Sequence, residues 1–213
     1  TTDTFTVVLT AQPTSNVVLT ITSSDTGEAT VTTPLTFTNA NWNTPQTVTV
    51  TGVDDSGVVD GDQVSTLTIA VDDANSDNDF DDVANQTVSA TTIDDDVAGF
   101  TVAETDGSTS VAETGTTDTF TVVLTAQPTS NVVLTITSSD TGEASVAPSS
   151  LTFTPANWNS AQTVTVTGVD ESVVDGDQNS NIAVAVLDAA SDDSFDDLAD
   201  QTVSATTTDN DVA

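Results

Sequence analysis

The chain has 213 residues, of which 34 are Asp or Glu, and it contains no Lys, Arg, His, Cys, Met or Tyr. Its formal net charge of −34 repels nucleic acid and anionic membranes, because binding to phosphate depends on cationic side chains. The same absences remove most side chains that act as catalytic bases or nucleophiles, so we expect no enzyme.

Hydrophobic residues make up 36% of the chain, enough for the cores of one large or two small domains. No apolar run approaches the roughly 20 residues of a membrane span, so we expect no membrane insertion. Because even Met is absent, we expect an internal fragment of a longer polypeptide. The uncompensated carboxylates repel one another and call for solvent ions or bound metal.

Residues 1–29 recur without change at 116–144, which defines an internal tandem repeat. The two copies stay in register, and each ends in an acidic triplet that begins at Asp94 or Asp209. We therefore predict two modules, residues 1–98 and 99–213.

Thr- and Val-rich runs carry apolar residues at every second position, which predicts half-buried strands. In the second copy the residues predicted to be buried are Phe120, Val122 and Leu124; Val132, Leu134 and Ile136; Leu151 and Phe153; Val164 and Val166; and Ile182, Val184 and Val186. Thr occupies most of the opposite positions. No helical period competes with this alternation, so the fold class is all-β.

Short turn-forming segments separate these runs, and roughly seven or eight short strands per module are typical of an immunoglobulin-like β-sandwich. We predict two tandem sandwiches of this kind. The segment 99–115 supplies the first strand of the second module. Its counterpart would precede Thr1, so we expect the first module to lack its N-terminal strand.

Several motifs, in this order, resemble the Calx-β family, in particular the Calx-β-like repeats of very large bacterial surface adhesins. They are TFTVVL at 119–124, SSDT at 138–141, LTFTPANWN at 151–159, TVTVTGVD at 163–170 and the closing acidic triplet. The resemblance covers all of the second module and nearly all of the first. It implies a β-sandwich that holds calcium ions at one pole.

The resemblance also implies which acids bind calcium: an early Glu, an Asp in a turn, the acids around the loop after TVTVTGV, and the triplets. In the first module these positions are Asp25, Asp54, Asp55, Asp60, Asp62, Asp94, Asp95 and Asp96. In the second module they are Glu113, Asp140, Asp170, Glu171, Asp175, Asp177, Asp209 and Asp211.

The residues themselves favour Ca²⁺. Calcium takes six to eight oxygen ligands in flexible geometry, so it suits carboxylates that converge from separate loops. If the strand ends share a pole, several acids meet there without a cationic side chain and would repel one another unless a metal neutralised them. The competing interpretation is that these residues are solvated turn formers, since Asp is favoured in turns.

Two long acidic loops, 72–82 and 188–197, make a weaker case for metal binding. The first resembles the start of an EF-hand loop, but the central Gly and the closing Glu of that motif are absent. We predict that both loops are solvated and that Phe80 and Phe195 fold back into the core.

The triplet that starts at Asp94 directly precedes the second module. We hypothesise that a metal there, joined by Glu104, stiffens the joint between modules. Small-angle scattering with and without chelator tests this hypothesis, and an unchanged particle length would contradict it.

A calcium-dependent carbohydrate-binding module is the alternative function, with Trp42 and Trp158 as stacking platforms. Both Trp residues follow LTFT in the same NWN segment, a position more typical of a cap on the sandwich. Ranks of Thr could also bind ice, although they are more simply the exposed face of alternating strands. Glycan binding or thermal hysteresis would distinguish these functions.

The function we expect is a calcium-binding structural extender in an extracellular adhesin of the bacterial cell surface, serving cell adhesion and biofilm growth. Near-identical modules suit spacing better than recognition, and their like charges discourage aggregation. The expected partners are calcium and neighbouring repeats of the same polypeptide, with no nucleic acid, and we expect a monomer.

Overall fold

The computed structural model describes residues 1–55 and 57–212. Contacts group the chain into two compact units. Unit 1 contains residues up to Asp55 and residues 61–95, and unit 2 contains residues 57–60 and the chain from Asp96 onwards. Strands, numbered along the chain, provide most of the regular structure.

Unit 1 consists of two antiparallel sheets. Its first strands are β1 (Thr2–Val7), β2 (Val17–Ser23), β3 (Ala29–Val31), β4 (Leu35–Phe37) and β5 (Gln46–Gly52). The short β6 (Val58–Val59) belongs to unit 2, and unit 1 continues with β7 (Gln63–Val71) and β8 (Gln86–Thr92). The strand orders are β1-β5-β3 and β4-β2-β7-β8.

Unit 2 repeats this plan with additional strands. They are β9 (Phe100–Glu104), β10 (Thr109–Ala112), β11 (Thr117–Leu124), β12 (Gln127–Pro128), β13 (Val132–Ser138), β14 (Ala144–Ala147), β15 (Ser150–Phe153), β16 (Gln162–Gly168), β17 (Gln178–Val186) and β18 (Gln201–Thr208). The two main sheets have the orders β10-β18-β17-β13-β15 and β14-β16-β11-β9, and β12 pairs with β6.

The core of unit 2 lies between its two main sheets and is built from the alternating positions of the strands. Phe120, Leu134, Phe153, Val164 and Ile182 have no exposed surface. Burying side chains of this size stabilises the fold by about 1.5–3 kcal/mol each. The structure confirms the all-β prediction and the faces that the alternation assigned to the core.

The helices among the described residues are short 3₁₀ turns in the loops. They span Asp73–Asn75, Asn78–Phe80, Thr105–Gly107, Asp188–Ala190 and Asp193–Phe195. In the described ranges, every helix is too short and too polar to traverse a lipid bilayer.

The two long acidic loops are anchored by a buried carboxylate, so the prediction that they are solvated is wrong at Asp77 and Asp192. Asp192 is only 5% exposed. Its Oδ2 accepts hydrogen bonds from the backbone N–H and hydroxyl of Thr129 and from the N–H of Ser130, all at 2.8 Å. Its Oδ1 accepts from the N–H of Ser194 at 3.1 Å.

Asp77 makes the same contacts in unit 1, with Thr14, Ser15 and Asp79 as donors. The hydrogen bond from the Ser15 N–H leads the effects that lower the pKa of Asp77 to about 2. For Asp192, burial acts to raise the pKa, but the hydrogen bonds from Thr129, Ser130 and Ser194 outweigh it and the pKa is lowered.

The prediction for the loop aromatic residues is confirmed for Phe195, which has no exposed surface, whereas Phe80 is only partly buried. Both Phe residues close a 3₁₀ turn that begins just after the buried Asp. The buried carboxylate therefore fixes the turn that aims the aromatic ring at the core.

Replacing this anchor should destabilise unit 2. At pH 7 we expect Asp192→Ala to lower the free energy of unfolding by roughly 1–3 kcal/mol, because Thr129 and Ser130 lose the acceptor of their N–H groups. Denaturant unfolding followed by the fluorescence of Trp158, in a Trp42→Phe background, measures this loss. Asp197→Ala, an exposed acid in the same loop, is the control.

The loss of stability that Asp192→Ala causes should also depend on pH. Because the pKa of Asp192 is lowered on folding, its carboxylate stabilises the fold above the unfolded pKa, and this contribution disappears as the pH falls through the folded pKa. The difference between wild type and Asp192→Ala should therefore shrink below about pH 4. A difference that stays constant down to pH 2 would contradict this interpretation.

Candidate metal centre

Six acids gather at one end of unit 2, where strands from both sheets finish or begin. We call this group the acidic pole; its members are Glu113, Glu143, Glu171, Asp175, Asp209 and Asp211. Glu113, Glu143, Glu171 and Asp175 each offer a carboxylate oxygen, and these oxygens all lie within 4.8 Å of one another. Glu113, Asp209 and Asp211 form a second group at the same spacing. Glu113 belongs to both groups.

The backbone brings these acids together. Glu113 directly follows β10, Glu143 directly precedes β14, Glu171 lies just beyond β16 and Asp175 lies shortly before β17. The N–H of Glu113 donates to the carbonyl of Thr208 at 3.2 Å, which holds the end of β10 against the end of β18. Two sheets therefore contribute to one acidic pole.

Gly168 lets the end of β10 lie directly against the end of β16 beneath the acidic pole. A Cβ built at Gly168 would lie 2.1 Å from the carbonyl oxygen of Ala112, so a residue with a side chain would displace β10 from the end of β16. The N–H of Val169 then donates to the carbonyl of Glu143 at 2.8 Å. Glu113 and Glu143 are thus positioned by backbone contacts of their own elements.

The two central carboxylates are buried and incompletely satisfied. Glu113 is 1% exposed and Glu143 is 8% exposed. Oε2 of Glu113 accepts from the N–H of Asn210 at 3.1 Å, whereas Oε1 of Glu113 and Oε2 of Glu143 are buried without a hydrogen-bond partner. Glu171 and Asp211 each also have one buried oxygen without a hydrogen-bond partner. Burying a charged oxygen without a partner is costly.

The pKa values of the central acids reflect this environment. The Asn210 N–H lowers the pKa of Glu113, but burial and the negative charges of Asp209, Glu171 and Asp211 together raise it. Burial is the main cause that raises the pKa of Glu143, followed by the charge of Asp175. No cationic side chain exists in the chain to oppose these shifts.

Hydrogen bonds around Asp209 hold the remaining part of the acidic pole in place. The carboxylate of Asp209 accepts from the N–H groups of Gly176 at 2.8 Å and Asp211 at 2.7 Å. The N–H of Asp209 donates to Asp177 at 3.2 Å. These bonds fix the loop before β17 against the end of β18, so Asp175 and Asp211 are held near Glu113.

Unit 1 contains part of the same arrangement. Glu28 and Asp55 occupy the positions of Glu143 and Glu171, and their carboxylate oxygens lie within 4.8 Å of each other. Glu28 is only partly buried, and Asp55 is exposed beside Asp54. The position that corresponds to Glu113 would lie before Thr1.

The hydrogen bonds around Asp94 in unit 1 match those around Asp209 in unit 2. The N–H of Asp94 donates to Asp62 at 3.1 Å, and the N–H of Gly61 donates to Asp94 at 2.8 Å. Asp95 is exposed beyond β8. Within unit 2, Asp60 follows β6, and Asp96 accepts from the N–H of Gly57 at 2.8 Å.

Other residues from the sequence prediction lie outside these groups. Asp25 and Asp140 are exposed, and each accepts from the N–H of the glycine two positions later at 2.9 Å. Asp170 is exposed and accepts from the Asn210 side chain at 3.4 Å. Glu104 accepts from the Thr109 hydroxyl at 2.9 Å.

Sequence reasoning missed Glu28 and Glu143. The available signal was the turn TGEA, which both copies repeat and which places a Glu directly before a strand. The turn was assigned to Asp25 and Asp140, whose carboxylates instead bond the turn itself. The acids that surround Glu143 are Glu113, Glu171 and Asp175, which the turn itself does not reveal.

The Trp residues lie near the cores. Trp158 is partly buried against the core of unit 2, and its carbonyl accepts from the N–H of Leu124 at 3.2 Å. Trp42 is also partly buried, and its carbonyl accepts from the N–H of Leu9 at 3.1 Å. These contacts fit the interpretation from the sequence that each Trp caps its β-sandwich.

No family model matches the sequence, and no curated protein matches it. Among solved structures, domains 4 and 5 of the S-layer protein SbsC are 17% identical, over 89% of this chain and 70% of that chain, with a TM-score of 0.40. CBD12 from CALX1.2 is 12% identical, over 87% of this chain and 72% of that chain, with a TM-score of 0.29. SSP-19 from Caenorhabditis elegans, an MSP-domain protein like family member, is 19% identical over 48% and 92% of the two chains, with a TM-score of 0.32.

The geometry of the pole predicts that losing one central charge stabilises unit 2 when divalent ions are chelated. We expect Glu143→Gln to raise the free energy of unfolding by on the order of 1 kcal/mol, since two unit charges about 4 Å apart repel by that amount even in water. Denaturant unfolding in excess chelator measures the change. Asp197→Asn removes the same charge from an exposed loop position and should have little effect; equal effects of both substitutions would contradict the prediction.

Proposed function

We propose that the acidic pole of unit 2 binds Ca²⁺ and that the chain is a calcium-stabilised structural repeat. The observation that carries this proposal is the carboxylate of Glu113, which is 1% exposed, has one oxygen without a partner and lies among other acids. Because the chain has no cationic side chain, a bound cation is the partner that would neutralise these carboxylates in their ionised form.

The donor set suits calcium better than other common metals. All the candidate ligands are carboxylate oxygens, whereas zinc sites in proteins use mainly His and Cys, which the chain lacks. Magnesium demands a small octahedral shell and retains several waters. Calcium accepts more ligands and a looser geometry. Glu113 belongs to both acid groups, so cations held by the two groups would share it.

Bound calcium would stabilise the fold because its ligands come from separate strands. The acids of the pole follow or precede β10, β14, β16, β17 and β18. A ligand that binds only the folded state stabilises it by mass action. A site with a Kd of about 10⁻⁴ M in roughly 10 mM calcium would contribute about 2.7 kcal/mol.

The biological role we propose is that of an extender repeat in an extracellular bacterial surface protein. The exact repetition of residues 1–29 at 116–144 suits a spacer built from similar modules. The resemblance to Calx-β-like adhesin repeats agrees with this role. Calcium at extracellular concentrations would keep such repeats folded without disulfides, which a chain without Cys cannot form.

Calcium should stabilise unit 2 more than unit 1. The two Trp residues separate the units, because Trp42→Phe leaves Trp158 to report on unit 2 and Trp158→Phe leaves Trp42 to report on unit 1. We expect 10 mM calcium to raise the thermal midpoint of unit 2 by roughly 10 °C. The rise should be smaller for unit 1, where Glu28 is only partly buried and Asp55 is exposed, and smaller for either unit with magnesium.

The matched variants are Glu113→Gln, which removes the shared ligand, and Glu104→Gln, which makes the same chemical change outside the acidic pole. Calorimetric titration should show at least a tenfold loss of calcium affinity in the first variant and wild-type affinity in the second. A thermal midpoint of unit 2 that ignores calcium, or a Glu113→Gln protein that responds like wild type, would overturn the proposal.

A further inference from the structure

A short segment between β5 and β7 belongs to unit 2, although the chain before and after it belongs to unit 1. We call this segment, residues 57–60, the strap. Its two valines form β6, which pairs in parallel with β12: Val58 lies opposite Gln127, and Val59 lies opposite Pro128. Unit 2 therefore includes a piece of chain that lies in sequence between two strands of unit 1.

Hydrogen bonds fix the start of the strap. The backbone N–H of Gln127 donates to the carbonyl of Gly57 at 2.5 Å, and the N–H of Gly57 donates to the carboxylate of Asp96 at 2.8 Å. Both polar groups of the Gly57 backbone are therefore satisfied within unit 2.

The apolar residues of this pairing are buried. Val59 is 8% exposed, and Ala126, which directly precedes β12, is 3% exposed. Pro128 is also buried. Removing these side chains from water favours the strap in its bound position.

The residues of the strap occur a second time in a different environment. The sequence VVDGDQ at 58–63 recurs at 173–178, after β16. There Val173 is 57% exposed and Val174 is 55% exposed. The loop sequence alone therefore does not bury its valines, and the burial of Val59 depends on the pairing with β12.

We propose that the strap links the stability of unit 2 to the folding of unit 1. When β5 and β7 are folded, they hold both ends of the segment that contains the strap, so binding to β12 orders few free residues. When unit 1 unfolds, the strap becomes part of a long flexible segment, and its binding to β12 loses more conformational entropy. Folded unit 1 therefore stabilises unit 2 through residues 57–60. This link needs no bound metal and is independent of the proposed calcium site.

The contribution of the strap is measured in excess chelator, so that no divalent cation adds to it. We expect Val59→Ser to lower the folded-to-unfolded equilibrium constant of unit 2 by about tenfold, because the buried apolar surface of the valine is lost. Denaturant unfolding followed by the fluorescence of Trp158, in a Trp42→Phe background, measures the loss. Val174→Ser makes the same change at the matching exposed position and should have little effect. Equal losses from the two substitutions would overturn the proposal.

Cysteine crosslinking tests the position of the strap, because the chain has no Cys of its own. Val58→Cys together with Gln127→Cys should form a disulfide within the chain under mild oxidation. Val173→Cys together with Gln127→Cys is the control pair and should give a several-fold lower yield. Equal yields would show that the strap does not bind β12 and would overturn the proposal.

The link itself is tested by weakening unit 1. Phe37 is fully buried in the core of unit 1, so Phe37→Ala should destabilise that unit strongly. We expect this substitution to lower the thermal midpoint of unit 2, reported by Trp158 in the Trp42→Phe background, by several degrees. In a chain that also carries Val59→Ser, Phe37→Ala should lower the midpoint of unit 2 no further. An equal lowering with the intact and the altered strap, or no lowering with the intact strap, would overturn the proposal.

Discussion

The constraint on which this molecule depends is the lack of any cationic side chain to balance its 34 acids. Each carboxylate has to be satisfied by backbone N–H groups, hydroxyls, solvent or a metal ion, since an ion pair with Lys, Arg or His does not exist. At exposed positions solvent is sufficient. Within the sandwich, solvent cannot satisfy the carboxylates. The buried acids therefore fall into two groups, according to whether the protein supplies their hydrogen-bond partners.

The first group is satisfied by the protein. Asp77 and Asp192 each collect several hydrogen bonds from Thr, Ser and backbone groups, and this lowers their pKa values. The second group lies at the acidic pole, where Glu113 and Glu143 keep buried oxygens without partners and burial and neighbouring charges raise their pKa values. One set of acids holds the loops in place, and we propose that the other set holds calcium.

The strands and the all-β class could be predicted because alternation of Thr with Val, Ile, Leu or Phe is a local signal that decides which face is buried. The acids at strand ends predicted a shared pole, and the resemblance to Calx-β-like repeats implied Glu113, Glu171 and Asp175 as its ligands. Glu143 was not named, because the acids around it, Glu113, Glu171 and Asp175, come from distant parts of the chain, which no local pattern shows. Asp192 was misjudged for a similar reason: its donors Thr129 and Ser130 lie in a distant turn, so composition alone made its loop look solvated.

The two units show how strongly long-range contacts act on an identical sequence, since Phe120 is fully buried and Phe5 is not. The central claim, however, concerns the acidic pole, and a crystal structure grown with calcium tests it most directly through the anomalous signal of the ion. We predict a peak about 2.3–2.6 Å from carboxylate oxygens of both Glu113 and Glu143. Calcium found only at exposed acids such as Asp188, Asp193 and Asp197, with Glu113 and Glu143 bonded to water, would contradict the account.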